Sequence, residues 1–477
     1  MSVPSSKDSE EEKDEDDAWH QFSNAGYSSA SIELDEIEPQ NNPSEVEEWF
    51  DGDDFQFEGK IIDWNAPPCP TPLGISHIIK IGTCDYCLQR VSGKNMPGEE
   101  IRTEAYDRDN TLESSFDNNI CPLCENLFDD VNNIVDRIVE QVSNLEYSTI
   151  QIGMHLPKDL IQDEDQIRIR HGATGSRPLK SAMVDSIQNE ISKNLDSEIK
   201  FVKEKPDLMI LIDGLTLRVD IDIRPIFFYG RYRKLSREIP QTRWPCRSCR
   251  GRAKGCESCN ESGLQYLDSV QDLIGEPIRL ALDAEDCSFH GMGREDINVR
   301  CLGNGRPFIM EIKKPMSRIP DLEELVKQIN THAKSMVEID DIRRAERSEI
   351  SKIKASRSEK SYAIRFTVSE DIDEKETLES ISNLSGIILN QETPQRVSHR
   401  RAAKIRKRKI VNISNIIIEG NEIQFDIRAE AGTYIKEFIH SDSGRTIPSV
   451  SETLGSDCDI LWLDVLAIHD DEENQVT

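Results

Sequence analysis

Two sets of residues in this chain could do chemistry, and the spacing of each limits what that chemistry is. The first centres on Asp296, in a run holding Gly291, Gly293, Arg294 and Glu295. The glycines admit backbone angles other residues avoid, and an arginine stands two positions from the carboxylate. On spacing alone an R-x-D of this kind reads as the charged edge of a hairpin. The second set is eight cysteines in four CxxC pairs, Cys84/Cys87, Cys121/Cys124, Cys246/Cys249 and Cys256/Cys259. Each pair can offer two thiolates from one turn, and two pairs make the tetrahedral sulfur site that zinc prefers. The last two pairs, six residues apart with Gly251, Gly255 and Gly263 at the bends, read as a compact zinc knuckle. The first two are 33 residues apart, a less specific spacing. Cys69, Cys287, Cys301 and Cys458 stand alone and are expected to be buried, inert thiols.

The elements that must position Asp296 follow from periodicity. Ile297, Val299 and Cys301 alternate and predict a strand, so Asp296 is placed at a loop-to-strand junction. Gly303, Asn304 and Gly305 predict a turn, and 308–312 a return strand, giving a hairpin. A helix is predicted over 321–347, with Leu322, Leu325, Val326 and Ile329 on one face, then a strand containing Tyr362. Residues 416–418 and 423–429 predict two strands turning at Gly420-Asn421. In the N-terminal half, Val131, Ile134, Val135, Ile138, Val139 and Val142 form one apolar stripe and predict a helix over 129–145. A strand at 147–154, a helix at 177–195, and β-rich runs 208–212 and 216–223 joined at Asp213-Gly214 complete a small α/β module.

At 477 residues the chain is long enough for two or three domains. Its net charge of −31 is concentrated: residues 1–60 hold 19 Asp and Glu against three Lys. That acidic, Pro-containing segment, extended to residue 75, is expected to be largely disordered, with Trp49, Phe50, Phe55, Phe57 and Trp64 able to dock. Against this background two basic stretches stand out. Residues 224–254 carry ten Lys and Arg with one Glu, interleaved with Phe227, Phe228, Tyr229, Tyr232 and Trp244; residues 396–409 carry eight with no acid. Cations suit phosphates and aromatic faces stack on unpaired bases, so the first predicts RNA contact; the second needs a polyanionic partner, with a nuclear-targeting tract as the rival reading. No apolar run approaches membrane-spanning length, and a cytoplasmic location is expected. No phosphate-binding loop or dinucleotide fingerprint follows a strand.

The string GREDINVRCLGNGRPF at 293–308 resembles the active-site stretch of pseudouridine synthases, most closely the archaeal and eukaryotic family that modifies two adjacent uridines, 54 and 55, of the tRNA T-loop. KSYAIR at 360–365, TPQRVSHRRA at 393–402, and GTYIKEF with GRTIPSV at 432–450 resemble that family in the same order, and FFYGRYRKLSREIPQTRW at 227–244 is similar to the end of a THUMP domain. The resemblance implies an isomerase in which Asp296 attacks a flipped uridine, Tyr362 lies against the base, Tyr434 and Lys436 close the pocket, and Arg294 fills the vacated space or pairs with Asp296. Many synthases have arginine where Lys436 stands; lysine lacks the fork, so a looser pair with Asp296 is expected. RNA contacts are assigned to Arg231, Arg233, Lys234, Arg400, Arg401, Lys404 and Arg406. The expected fold is α+β: an acidic tail (1–75), a zinc module (76–128), a THUMP-like α/β domain (129–245), the knuckle (246–268) and a mixed-sheet catalytic domain (269–477). The partner expected is the T-arm of tRNA, bound by a monomer, with structural zinc and no catalytic cofactor. A THUMP-bearing methyltransferase and a non-catalytic RNA-binding scaffold stay open as alternatives; loss of activity with retained RNA binding on replacing Asp296 by Ala separates them.

Overall fold

The computed structural model describes residues 62–470 apart from 66, 72, 117–119, 195–198, 253 and 399–401. Most of the acidic segment, with Trp49, Phe50, Phe55 and Phe57, lies outside the described residues. Trp64 lies within them and packs on the N-terminal core.

That core is built by α1 (Gly74–Lys80), α2 (Asp85–Ser92), α3 (Gly98–Arg108), α4 (Val131–Val142), β1 (Thr149–His155), α5 (Lys158–His171), α6 (Leu179–Asn194), β2 (Lys200–Phe201), β3 (Leu208–Asp213) and β4 (Val219–Ile223). The sheet order is β2-β1-β3-β4, with β1 parallel to β2 and β3, and β4 antiparallel to β3. The stripe read on α4 is its buried face: Ile134, Val135, Ile138 and Val142 are all at most 2% exposed. One apolar cluster runs from Ile75 to Val219, so the first cysteine module and the α/β unit share a core rather than forming the two domains expected. Arg90 ties them further, bonding Glu164 of α5 at 2.5 Å and the carbonyls of Leu123 and Arg177.

The C-terminal lobe is one ten-stranded mixed sheet. Its strands are β5 (Ile226–Lys234), β6 (Ala284–Gly291), β7 (Val299–Pro315), β8 (Val337–Ala345), β9 (Glu359–Val368), β10 (Ile388–Glu392), β11 (Ile405–Glu419), β12 (Glu422–Ala429), β13 (Thr446–Ile447) and β14 (Cys458–His469). They run β13-β10-β11-β12-β9-β14-β7-β5-β8, with β6 also on β7; β14 and β7 are parallel and the other pairs antiparallel. Helices α7 (Val270–Ala281), α8 (Leu322–His332), α9 (Arg347–Ala355), α10 (Glu374–Ser382), α11 (Ile435–His440) and α12 (Val450–Leu454) join the strands.

Three sequence expectations are corrected here. The glycines at 303 and 305 do not turn the chain: β7 runs through them for 17 residues, and the hairpin partner is the preceding β6. They serve close approach instead. Both have positive φ, and a Cβ would stand 1.8 Å from the Leu466 carbonyl oxygen at Gly303 and 2.8 Å from that of Tyr232 at Gly305. The helix expected over 321–347 stops at His332; Lys334 and Ser335 reverse the chain at positive φ, and β8 follows as an edge strand with Val337, Ile339 and Ile342 buried. Finally, 224–245 does not end the accessory domain. β5 enters the large sheet between β7 and β8, so the knuckle is inserted within the C-terminal lobe.

Candidate active site

Asp296 sits on the loop between β6 and β7, three residues before β7 begins, where the Val299 N–H donates to its carbonyl at 3.1 Å. The sequence reason is visible on both sides. The apolar β7 residues Val299 and Cys301 are buried and fix the strand, while Gly293, at positive φ, lets the loop double back.

What holds the loop is a set of buried polar groups. Glu295, 6% exposed, forms an ion pair with the buried Arg306 of β7 at 2.8 Å and accepts the Tyr232 hydroxyl at 2.8 Å. Gln241 donates to the Tyr232 hydroxyl at 2.8 Å and to the Gly293 carbonyl at 3.1 Å, and Arg306 donates to the Met292 carbonyl at 2.8 Å. Lys234, at the end of β5, is fully buried. Its ammonium donates to the carbonyls of Ile239 (2.9 Å), Asp296 (3.1 Å) and Ile297 (2.8 Å). The RNA contact expected of Lys234 is therefore corrected: its charge is spent on backbone oxygens beneath the carboxylate it helps to place.

The Asp296 side chain is 41% exposed and lies between two cations. Lys436 Nζ donates to Oδ2 at 2.9 Å and to Asn298 Oδ1 at 3.0 Å; Arg396 Nη1 donates to Oδ1 at 3.2 Å. Desolvation pushes the Asp296 pKa up, but Arg396, Lys436 and Arg294 outweigh it and hold the carboxyl below its ordinary value. Lys436 meets Asp296 through one contact, and Arg396 supplies a second. Sequence reading placed Arg396 in a basic stretch without giving it this role; its signal was the segment TPQRVSHRRA, whose charge was assigned to RNA as a whole.

Lys436 reaches the site from the first turn of α11, and Tyr434 is the residue before that helix. The fully buried Gln391 of β10 fixes this junction, accepting from the Tyr434 N–H and donating to its carbonyl, each at 2.9 Å. Tyr362 lies mid-sheet on β9, opposite Ile427 of β12 and Val465 of β14, and burial pushes its phenol up to about 12. Arg294 lies with its guanidinium 5.3 Å from the Trp244 ring, which meets Tyr266 edge-on at 5.6 Å. Trp244 and Tyr266 flank the knuckle, whose ends are joined by the Gln265 N–H donating to the Trp244 carbonyl at 2.8 Å.

The other candidate RNA contacts divide. Arg231 bonds Asp470 at 2.6 Å and the carbonyls of Asn304 and Gly305, and Arg233 pairs with Glu338 and Asp340. Lys404 is exposed ahead of β11, and Arg406 on that strand donates to Thr393 Oγ1 at 3.0 Å. Arg400 and Arg401 lie outside the described residues.

Both cysteine sets converge. Cys84, Cys87, Cys121 and Cys124 form one cluster and Cys246, Cys249, Cys256 and Cys259 the other, with ligand atoms in each within 4.8 Å of one another. Sulfurs at the corners of a tetrahedron with 2.3 Å metal bonds stand about 3.8 Å apart. The spacings are 3.7 Å for Cys84–Cys124, 3.8 Å for Cys246–Cys256 and 3.9 Å for Cys249–Cys259, far longer than a disulfide. Backbone N–H groups of Cys84 and Gly263 point at Cys121 and Cys259 sulfurs, as around metal-bound thiolates. The donor sets fit zinc.

The Lys234 tether carries a pH prediction. Three N–H donors meet three carbonyls only when the amine is protonated, and burial lowers its pKa from 10.5 to about 8. Single-turnover rate should fall as pH rises through about 8. Between that value and 10.5 the unfolded chain binds the extra proton, so Lys234's own contribution to stability rises with pH there, and a thermal scan at each pH separates the loss from unfolding. Lys234→Met should show a loss of about 10²-fold already at neutral pH and lack the alkaline limb. A parental pH profile in that variant sinks the assignment.

Residues 227–469 match the family model described as Pus10, C-terminal, and residues 134–213 match the one described as Pus10 THUMP domain, archaeal. The protein named tRNA pseudouridine synthase Pus10 of Methanothermobacter marburgensis is 40% identical over 400 residues, 81% of this chain and 94% of the relative. Proteins of the same name from Methanocaldococcus jannaschii and Halorubrum lacusprofundi are 36% and 31% identical, covering 73% and 82% of this chain and 75% and 94% of theirs. The family models and the relatives define a class, the pseudouridine synthases, which are isomerases. Within that class the chain belongs to the Pus10 family, and its accessory lobe contains a THUMP domain.

Proposed function

We propose that this chain isomerises uridine to pseudouridine at positions 54 and 55 of the tRNA T-loop, with Asp296 as the nucleophile. The observation that carries this reading is the Asp296 carboxylate, kept ionised between Lys436 and Arg396 on a loop clamped from below by Glu295, Arg306 and Lys234. The N1–C1′ bond must break and the base turn before C5 bonds to C1′, so the nucleotide has to leave its stack. Asp296 attacks the flipped nucleotide, and its neighbouring cations balance charge as the base departs. Tyr362 lies against the base, Tyr434 closes the pocket, and Arg294, steadied on Trp244, occupies the space the base vacates.

The T-arm of tRNA, bound by a monomer, approaches over Lys404 and Arg406, with Arg231 and Arg233 farther along the sheet; Arg400 and Arg401, outside the described residues, are further candidate contacts. The clustered cysteines hold zinc in a structural role at one or both sites, and metal analysis returning no zinc contradicts that. Among the described residues no helix is long and apolar enough to cross a membrane; the proposed site of action is the cytoplasm. The position claim is tested by incubating tRNA transcripts with uridine 54 or 55 replaced in turn by cytidine and mapping pseudouridine by reverse-transcription stops after carbodiimide treatment. Each single replacement should leave modification at the other position. Stops confined to sites outside the T-loop overturn the assignment.

A further inference from the structure

The two cations that hold Asp296 are not equivalent. Lys436 divides its ammonium between Asp296 and a neutral amide, Asn298, at 2.9 and 3.0 Å. Arg396 faces two carboxylates: Asp296 at 3.2 Å, and Glu437, which accepts from Nε at 2.6 Å. Glu437 follows Lys436 in the first turn of α11, is 1% exposed, and has no hydrogen-bond partner for its Oε2. A buried carboxylate with one side unsatisfied costs stability unless a cation is fixed against it. The fold retains that arrangement one residue from Lys436, directly behind the catalytic pair.

We propose that Glu437 is a positioning residue: it keeps Arg396 in place while Asp296 changes charge, and leaves Lys436 as the cation that follows the charge onto the departing base. This rests on the reading of Asp296 as nucleophile. When an Asp296 oxygen bonds to C1′, the C1′–N1 bond breaks and its electron pair leaves with the base as a uracil anion. The carboxylate becomes a neutral ester, so one negative charge moves from Asp296 to the ring with the total unchanged. Both cations then lose an anionic partner. Arg396 still has Glu437; Lys436 keeps only an amide, and its flexible stem carries the ammonium to the uracil anion. When C5 bonds to C1′, the ester oxygen leaves as carboxylate and Lys436 returns. C5 then gives up its proton and N1 takes one, both exchanged with solvent.

The test is single-turnover release of tritium from C5-labelled tRNA, with tRNA affinity and thermal stability measured alongside. Glu437→Gln should slow the chemical step about 10- to 50-fold with affinity within about threefold, because Arg396 loses its second anchor and drifts. In an Arg396→Met background the same change should cost almost nothing more, since its effect runs through Arg396. Glu437→Asp, which keeps the charge, should recover part of the loss whether or not Glu437→Gln also lowers stability. A Glu437→Gln rate within about twofold of the parent, losses that multiply in the double variant, or an Asp variant no better than Gln overturns the proposal. Each of these can occur with Asp296→Asn inactive, so failure here is distinct from failure of the nucleophile assignment.

Discussion

Arg306→Met is expected to destabilise the C-terminal lobe by about 3–5 kcal/mol, because it leaves Glu295 buried and charged without its partner. Arg306 and Glu295 have side chains 2% and 1% exposed and stand 2.8 Å apart. Water cannot reach either group to compensate. The unfolding transition of that lobe should fall by roughly 10 °C in a thermal scan. Pairing the change with Glu295→Gln removes the stranded charge, and the double variant should recover more than half of the loss. Activity should not recover with it. The Met292 carbonyl would still lack its Arg306 donor, and the loop carrying Asp296 would stay loose. A single variant that melts with the parent would show that the pair contributes nothing to the clamp.

Asp296→Asn is expected to bind tRNA at least as tightly as the parent while losing on the order of 10⁴-fold or more in the chemical step. Binding is kept because the change removes a negative charge beside the two cations, leaving Lys436 without a carboxylate partner while Arg396 keeps Glu437. The fold survives because the carboxylate is partly exposed and the loop is held by other residues. A pH dependence accompanies this. The folded-state pKa of Asp296 is depressed, so its ionised form adds stability above the ordinary carboxylate value, and that is lost as pH falls through the depressed one. The parent should therefore be more stable than the Asn variant at neutral pH, with the gap closing in acid.

Asp296 is findable in the sequence because the string around it resembles the active-site stretch of a known family; the local pattern, a glycine-rich loop running into an alternating strand, gives only its placement. The α4 stripe and the Asp213-Gly214 turn are legible because such local patterns survive folding. What could not be read were consequences of distant pairing. Gly303 and Gly305 look like a turn until Leu466 and Tyr232 bring their backbones against them. Residues 337–345 carry enough charge to pass for helix until β5 offers them an edge. Lys234 belongs to a basic run, yet it points inward where three carbonyls converge, and no local signal distinguishes it from Arg233. Glu295 and Glu437 carry no local signal of burial, and only the fold buries them against Arg306 and Arg396.

The most direct measurement is the release of C5 tritium from a uridine-labelled tRNA transcript in a single turnover, with enzyme in excess and tRNA fully bound. Parent chain should release label from the T-loop, and Asp296→Asn, bound to the same tRNA, should release none above the no-enzyme control. Release by the Asn variant at the parental rate would mean that the bond to C1′ is broken without that carboxylate.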